Sequence, residues 1–257
     1  MHTPNLLTPI TNHKIHIYMI MVRSIAAAFA KATVTSLSFP LHNPTLLLPP
    51  LDAPSPLKSS SPSFPVLNPA TGSTIAYVED RSKDTPKSIA LARNAFEDGN
   101  WRDTSGVYRS KLLNRWSMLI EENKDDLAVI MTMESGKPIQ ESYAEINYGI
   151  SYMEFYAAEA VRPTANGGGF IVPSPFQKRD SNDAKGIAMA LRQGVGVCGI
   201  ITPWNFPFGM FIRKVAPAIA AGCTTVVKPS ECTPLTAIAV QSLAQEAGLP
   251  EGVFEVL

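Results

Sequence analysis

The chain has 257 residues, 22 Lys+Arg against 22 Asp+Glu, and is 45% hydrophobic and 17% charged. That length suits one large or two small globular domains. The even charge balance excludes a binder of nucleic acid or of an anionic membrane surface, because there is no surplus of cations to displace counterions. Three cysteines, none in a C-x-x-C pair, exclude a disulfide framework and a zinc ribbon. All four histidines (His2, His13, His16, His42) lie at the start of the chain. The rest cannot build a Ser-His-Asp or Cys-His site or a His-ligated metal centre, so no metal is expected.

The chain divides near residue 66. Before it stand ten of the 22 prolines, one acidic residue, Asp52, and four scattered basic residues, Lys14, Arg23, Lys31 and Lys58. Proline fixes φ and removes donors, so no regular core is expected there. Two readings stay open for residues 1–64. One is a mitochondrial transit peptide, acid-poor, basic and Ser-rich, which the stretch from Met21 fits loosely; the other is a disordered tail or a misassigned gene start. Location is therefore open between mitochondrion and cytoplasm.

Residues 65–257 read as the folded part. NPATG (Asn68–Gly72) is a turn by composition, and STIAYVED then a short strand. Thr85 is the expected N-cap of a helix with Pro86 in its first turn, and Ile89, Ala92 and Phe96 recur at core spacing. A helix is expected over about 106–122 with Leu112, Leu113, Trp116, Leu119 and Ile120 on one stripe. Another starts at Asp125 or Asp126 and closes on Gly136. A third covers about 138–161, its apolar side formed by Ile139, Ile146, Ile150, Met153 and Phe155. The charges on these helices read as solvated outer faces. Residues 163–185 are turn-rich and suit a loop or short hairpin. Then GIAMALRQ, VGVCGIITP, a helix over about 207–221, CTTVVKP, a helix over about 233–247 and VFEVL alternate as in an α/β parallel sheet with crossover helices.

Two patterns mislead. GVGVCG (Gly194–Gly199) satisfies G-x-G-x-x-G, but IITPW follows it where a helix should open, so its glycines lie before or inside a strand. Gln193–Ile212 is uncharged and long enough to span a bilayer, yet Pro203 and Pro207 would leave backbone groups unpaired in lipid.

The chemistry concentrates at two strand ends. In ITPWNFP (Ile201–Pro207) a strand stops at Pro203 and presents Trp204 and Asn205. An Asn held there can aim an N–H at a developing oxyanion, or it can simply cap the next helix. In TVVKPSE (Thr225–Glu231), Lys228 and Glu231 emerge at the same edge. One donates and one accepts, which suits a ribose diol; the alternative is two solvated loop side chains.

NPATG, MESGKP (Met133–Pro138), ITPWNFP, APAIAAGCTTVVKPSECTP (Ala216–Pro234) and EAGLPEGV (Glu246–Val253) occur in the order and spacing of the aldehyde dehydrogenase family. Over roughly residues 64–257 the sequence resembles the N-terminal portion of that fold, an incomplete Rossmann-like parallel sheet with flanking helices. EINYGISYMEFYAAEA (Glu145–Ala160) and FIRKVAPA (Phe211–Ala218) are most similar to the succinate-semialdehyde dehydrogenase pattern. The resemblance implies oxidation of an aldehyde, a short semialdehyde by subfamily, to the acid with NAD, or NADP. A cysteine thiolate attacks the aldehyde, hydride passes to the nicotinamide, and a glutamate activates water to release the acid. It implies Asn205 as the oxyanion side chain, Lys228 and Glu231 on the adenosine ribose, and Thr202, Pro203, Trp204 and Ser230 along the cofactor groove. Arg213 matches the substrate-carboxylate arginine, a permanently charged fork suited to that partner. Glu231 would repel a 2′-phosphate and favour NAD. The expected partners are a small aldehyde and, in the full-length family, further copies of the chain, with no nucleic acid and no membrane.

The likeness stops before the family's nucleophile and glutamate base. Cys198, Cys223 and Cys232 match neither and are expected to pack structurally. The chain by itself is therefore expected not to turn over. The alternative is a truncated module that binds cofactor or pairs with a full-length partner. The strand pair that usually precedes NPATG is absent or replaced.

Overall fold

The computed structural model describes residues 34–47, 62–99, 101–162, 169–173 and 187–257. Most of the leader, including the stretch from Met21 to residue 33, lies outside the described residues. Three strands open the fold: β1 (Val34–Leu37), β2 (Ser63–Leu67) and β3 (Thr74–Glu79) form an antiparallel sheet in the order β1-β3-β2. Two strands therefore do precede NPATG, and β1 comes from within the segment read as a leader. Its residues 34–47 are tied to the rest of the fold. The buried Asp126 carboxylate accepts from His42 N (2.8 Å) and Asn43 N (2.6 Å), and Leu46 and Leu47 are buried in the core.

Four helices follow: α1 (Thr85–Glu97), α2 (Gly106–Glu122), α3 (Lys124–Ser135) and α4 (Ile139–Val161). Ser105 caps α2 by accepting from Tyr108 N at 3.1 Å. Gly136 ends α3 at φ +74, and a Cβ there would lie 2.6 Å from Pro69 Cγ. Both facts demand glycine, and the second shows how closely MESGKP meets the NPATG turn. The α2 stripe is buried as expected apart from the half-buried Leu119, and Trp116 satisfies its indole N–H on Val240 O at 3.1 Å. The helix start at Thr85 shifts by one residue. Asp84 occupies the cap position, and Thr85 Oγ1 donates backwards to Ser82 O.

Two apolar assignments are corrected. Ile89 on α1 and Phe155 on α4 are 47% and 57% exposed, so neither joins its helix's buried face. The larger correction concerns charge. Arg109, Asp126, Glu134 and Glu145, expected on solvated faces, are all buried. Arg109 Nε donates to Ala220 O at 3.1 Å and its Nη1 to Thr104, which ties α2 to the C-terminal end of the helix Gly209–Ala220.

Strands β4 (Gly169–Pro173) and β5 (Ile187–Leu191) pair antiparallel as a ribbon of their own. GIAMALRQ thus belongs to a hairpin, not to the parallel series. That series is β6 (Val197–Ile201), α5 (Gly209–Ala220), β7 (Thr224–Lys228), α6 (Leu235–Glu246) and β8 (Phe254–Val256), with parallel order β6-β7-β8. β7 is buried from Thr224 to Val227 because helices cover both faces, as a parallel strand requires. The glycine run of GVGVCG lies before and within β6, with no helix behind it. Among the described residues no helix is long and apolar enough to cross a membrane.

Candidate functional site

The β6–β7 register pairs Ile201 with Lys228, and beyond it Thr202 N donates to Lys228 O at 3.2 Å. The carboxyl ends of the two strands are thereby held side by side, the place where open α/β sheets gather ligands. Thr202 is buried under this edge, while Pro203, Trp204 and Asn205 are exposed above it. Next to them Lys228 Nζ pairs with Glu231 Oε2 at 3.0 Å, both side chains open to solvent, and the half-buried Ser230 accepts from Cys232 N. The Glu231 carboxyl is held below its ordinary range by its own backbone N–H and then by the Lys228 ammonium. Six of the expected residues thus lie at or just beyond the ends of these two strands, with the buried Thr202 beneath them. Arg213 lies one turn into α5 instead, facing α4, with its guanidinium 5.9 Å from the Tyr152 ring centre; Tyr152 in turn shares a 2.8 Å hydroxyl contact with Tyr148.

Asn205 is not a helix cap. α5 begins four residues later, and its leading amides, Phe208 N and Gly209 N, donate to Glu145 Oε1 at 2.9 and 2.8 Å. The second oxygen of Glu145 meets Lys137 Nζ, and that ammonium also donates to Asn205 O at 2.9 Å and sits 4.8 Å from the Phe206 ring centre. Gly149, one turn along α4 from Glu145, lets the Phe208 ring lie directly against the helix; a Cβ there would collide with the ring edge. Glu134 does for α6 what Glu145 does for α5. It accepts from Leu235 N (2.7 Å), Thr236 N (3.0 Å) and Thr236 Oγ1. Complete burial raises the Glu134 carboxyl to about 7, against the pull of the Thr236 and Leu235 donors and with a further push from Glu145.

The cysteines divide. Cys223 is buried and Cys198 half-buried, but Cys232 is exposed, against the expectation that all three pack. Burial, with a contribution from Cys223, lifts the Cys198 thiol to about 11, so it is protonated at neutral pH and a poor nucleophile. Among the described residues no group of three or more His, Cys, Asp or Glu is placed to hold a metal ion.

A sequence model of the aldehyde dehydrogenase family matches residues 57–257. The chain belongs to that family. It is 46% identical over 193 residues to the mitochondrial succinate-semialdehyde dehydrogenase of Oryza sativa subsp. japonica, covering 75% of this chain and 34% of that protein. It is 43% identical over 196 residues to the Homo sapiens mitochondrial enzyme of the same name, covering 76% and 34%. Among solved structures, succinate-semialdehyde dehydrogenase from Burkholderia pseudomallei matches with TM-score 0.69 at 41% identity, over 76% of this chain and 38% of that one. An NADP-dependent enzyme of E. coli matches with TM-score 0.68 at 38% identity, over 76% and 38%. Betaine aldehyde dehydrogenase of Staphylococcus aureus in complex with NAD+ matches with TM-score 0.69 at 33% identity, over 76% and 37%. The chain spans about one third of the length of the curated relatives it matches.

In this aldehyde dehydrogenase chain the residues missed by sequence reasoning are Glu134, Lys137 and Glu145. A signal was present for Glu145. It falls with Ser142, Ile146, Gly149 and Met153 at helical spacing on one side of α4, and all five are buried. A carboxylate inside such a stripe needs donors, and the nearest bare donors are the first amides of another helix.

Proposed function

We propose that the chain forms the cofactor groove and oxyanion side of an NAD(P)-dependent aldehyde dehydrogenase that converts a short semialdehyde, succinate semialdehyde by its relatives, to the acid. The observation that supports this most is the Thr202 N–H to Lys228 carbonyl bond, because it brings Asn205 and the Lys228/Glu231 couple to one edge. The couple fits a ribose: the ammonium only donates and the ionised carboxylate only accepts, which matches the two faces of a diol. Thr202, Pro203, Trp204 and Ser230 would line the groove. A bound nicotinamide supplies the hydride acceptor. The Asn205 side-chain N–H would donate to the oxygen that gains charge when the aldehyde carbon is attacked. Arg213 would pair with the carboxylate at the far end of the substrate. Glu231, ionised at neutral pH, disfavours a 2′-phosphate, so NAD is preferred and NADP enters only when Glu231 turns away.

Titrating the full chain with NAD and NADP tests this reading. Trp204 is 58% exposed while Trp101 and Trp116 are buried, so fluorescence reports on the groove. The expected result is a saturable quench with NAD, weaker with NADP, absent in Trp204→Phe, and shifted to several-fold higher concentration in Glu231→Ala. No saturable change with either nucleotide refutes the proposal.

A further inference from the structure

We propose that Lys137 and Glu145 are positioning residues that set the direction of the Asn205 side chain. The idea rests on the reading of Asn205 as the oxyanion donor and extends it to residues 60 or more positions earlier in the chain. The turn 202–208 has no regular secondary structure, so its shape must be imposed from outside. Two fixings do this. At its far end the Glu145 carboxylate gathers Phe208 N and Gly209 N, and the Phe208 ring is seated on Gly149. At its middle Lys137 Nζ holds the carbonyl of Asn205 itself at 2.9 Å and lies over the neighbouring Phe206 ring. The two fixings are one unit, because Lys137 and Glu145 form an ion pair whose side chains are 10% and 2% exposed.

A carbonyl held by an ammonium whose side chain is only 10% exposed fixes the peptide plane after Asn205, and with it the Cα–Cβ vector that carries the amide. A surface lysine would be screened and mobile; this one is locked by a partner that is itself locked by two backbone donors. The arrangement provides the rigid support that an oxyanion donor needs, since misplacement by about 1 Å can reduce a rate about 100-fold. Lys137 and Glu145 touch no reacting atom in this arrangement and act only through the turn.

The test uses the full chain without cofactor. The side-chain amide resonance pair of Asn205 is identified by its loss in Asn205→Ala, and hydrogen exchange is followed at the amides of 203–209. In the wild type the pair is expected to be sharp and dispersed. In Lys137→Met and in Glu145→Gln it moves towards the free-amide position and broadens, and exchange over 203–209 quickens at least tenfold while α2 stays protected. Lys137→Arg, which keeps the charge and a donor, restores both. An unchanged Asn205 signal in a folded Lys137→Met overturns the proposal. If that variant unfolds, Glu145→Gln decides, since it keeps the volume and an acceptor and loses only the ion pair. Recovery in Lys137→Arg separates positioning from mere packing. A chain that gives no NAD quench but shows these changes refutes the proposed function and leaves the clamp standing.

Discussion

Glu134 makes the stability of this chain depend on pH in an unusual direction. Its carboxyl is raised from an ordinary 4.5 to about 7 because it is wholly buried. The folded state therefore holds a proton that the unfolded state releases. Stability from this group is full below the unfolded value, falls as pH rises through about 7, and is flat above it. At about 1.4 kcal/mol per pKa unit the difference between the two limits is about 3 kcal/mol, a large part of a typical domain's stability. Glu134→Gln keeps an acceptor for the α6 amides and removes the titration. Urea unfolding of both proteins from about pH 5 to 8 measures it: the wild type should lose about 2–3 kcal/mol relative to the variant across that span. Other titrating groups, such as Glu255, cancel in the comparison. A difference between the two proteins that stays constant with pH refutes the reasoning.

Gly149→Ala should reverse the usual gain of about 1 kcal/mol for this change inside a helix, because the new methyl strikes the Phe208 ring and overpacking costs about 1–3 kcal/mol; thermal unfolding reads the sign. Asp126→Ala should leave His42 N and Asn43 N without their acceptor, lower stability by about 1–3 kcal/mol and speed hydrogen exchange in residues 34–47. Arg213→Met should weaken succinate binding by about tenfold, a modest loss because the side chain is exposed and screened, while leaving the NAD quench unchanged; calorimetry with succinate checks the first part.

Every element of the parallel series could be read from periodicity and turn residues, since strands and helices there alternate with clear punctuation at Pro203, Gly222 and Gly248. The shared edge followed from that reading, because parallel neighbours must end on the same side. What stayed hidden depends on contacts between distant segments. GIAMALRQ has the composition of any half-exposed strand, and only its partner β4 shows that it leaves the main sheet. β1 is separated from β3 by a proline-rich stretch whose composition argued against structure. Burial of Glu134 and Glu145 was missed because a charge on a helix is usually solvated, and the amides that justify these two lie in α6 and α5. Asn205 had two local readings, and the one that failed did so because a residue on another helix took the capping role.

The α3–α4 corner carries an implication for anyone who would transplant the parallel β6–β8 segment into another protein. The segment from β6 to β8 is continuous and looks separable, yet both of its helices begin on carboxylates borrowed from upstream. Cut at residue 193, it would start two helices on bare amides and lose the ammonium that grips its turn. A working graft has to bring Glu134, Lys137 and Glu145 with it, so the smallest portable unit begins well before its first parallel strand.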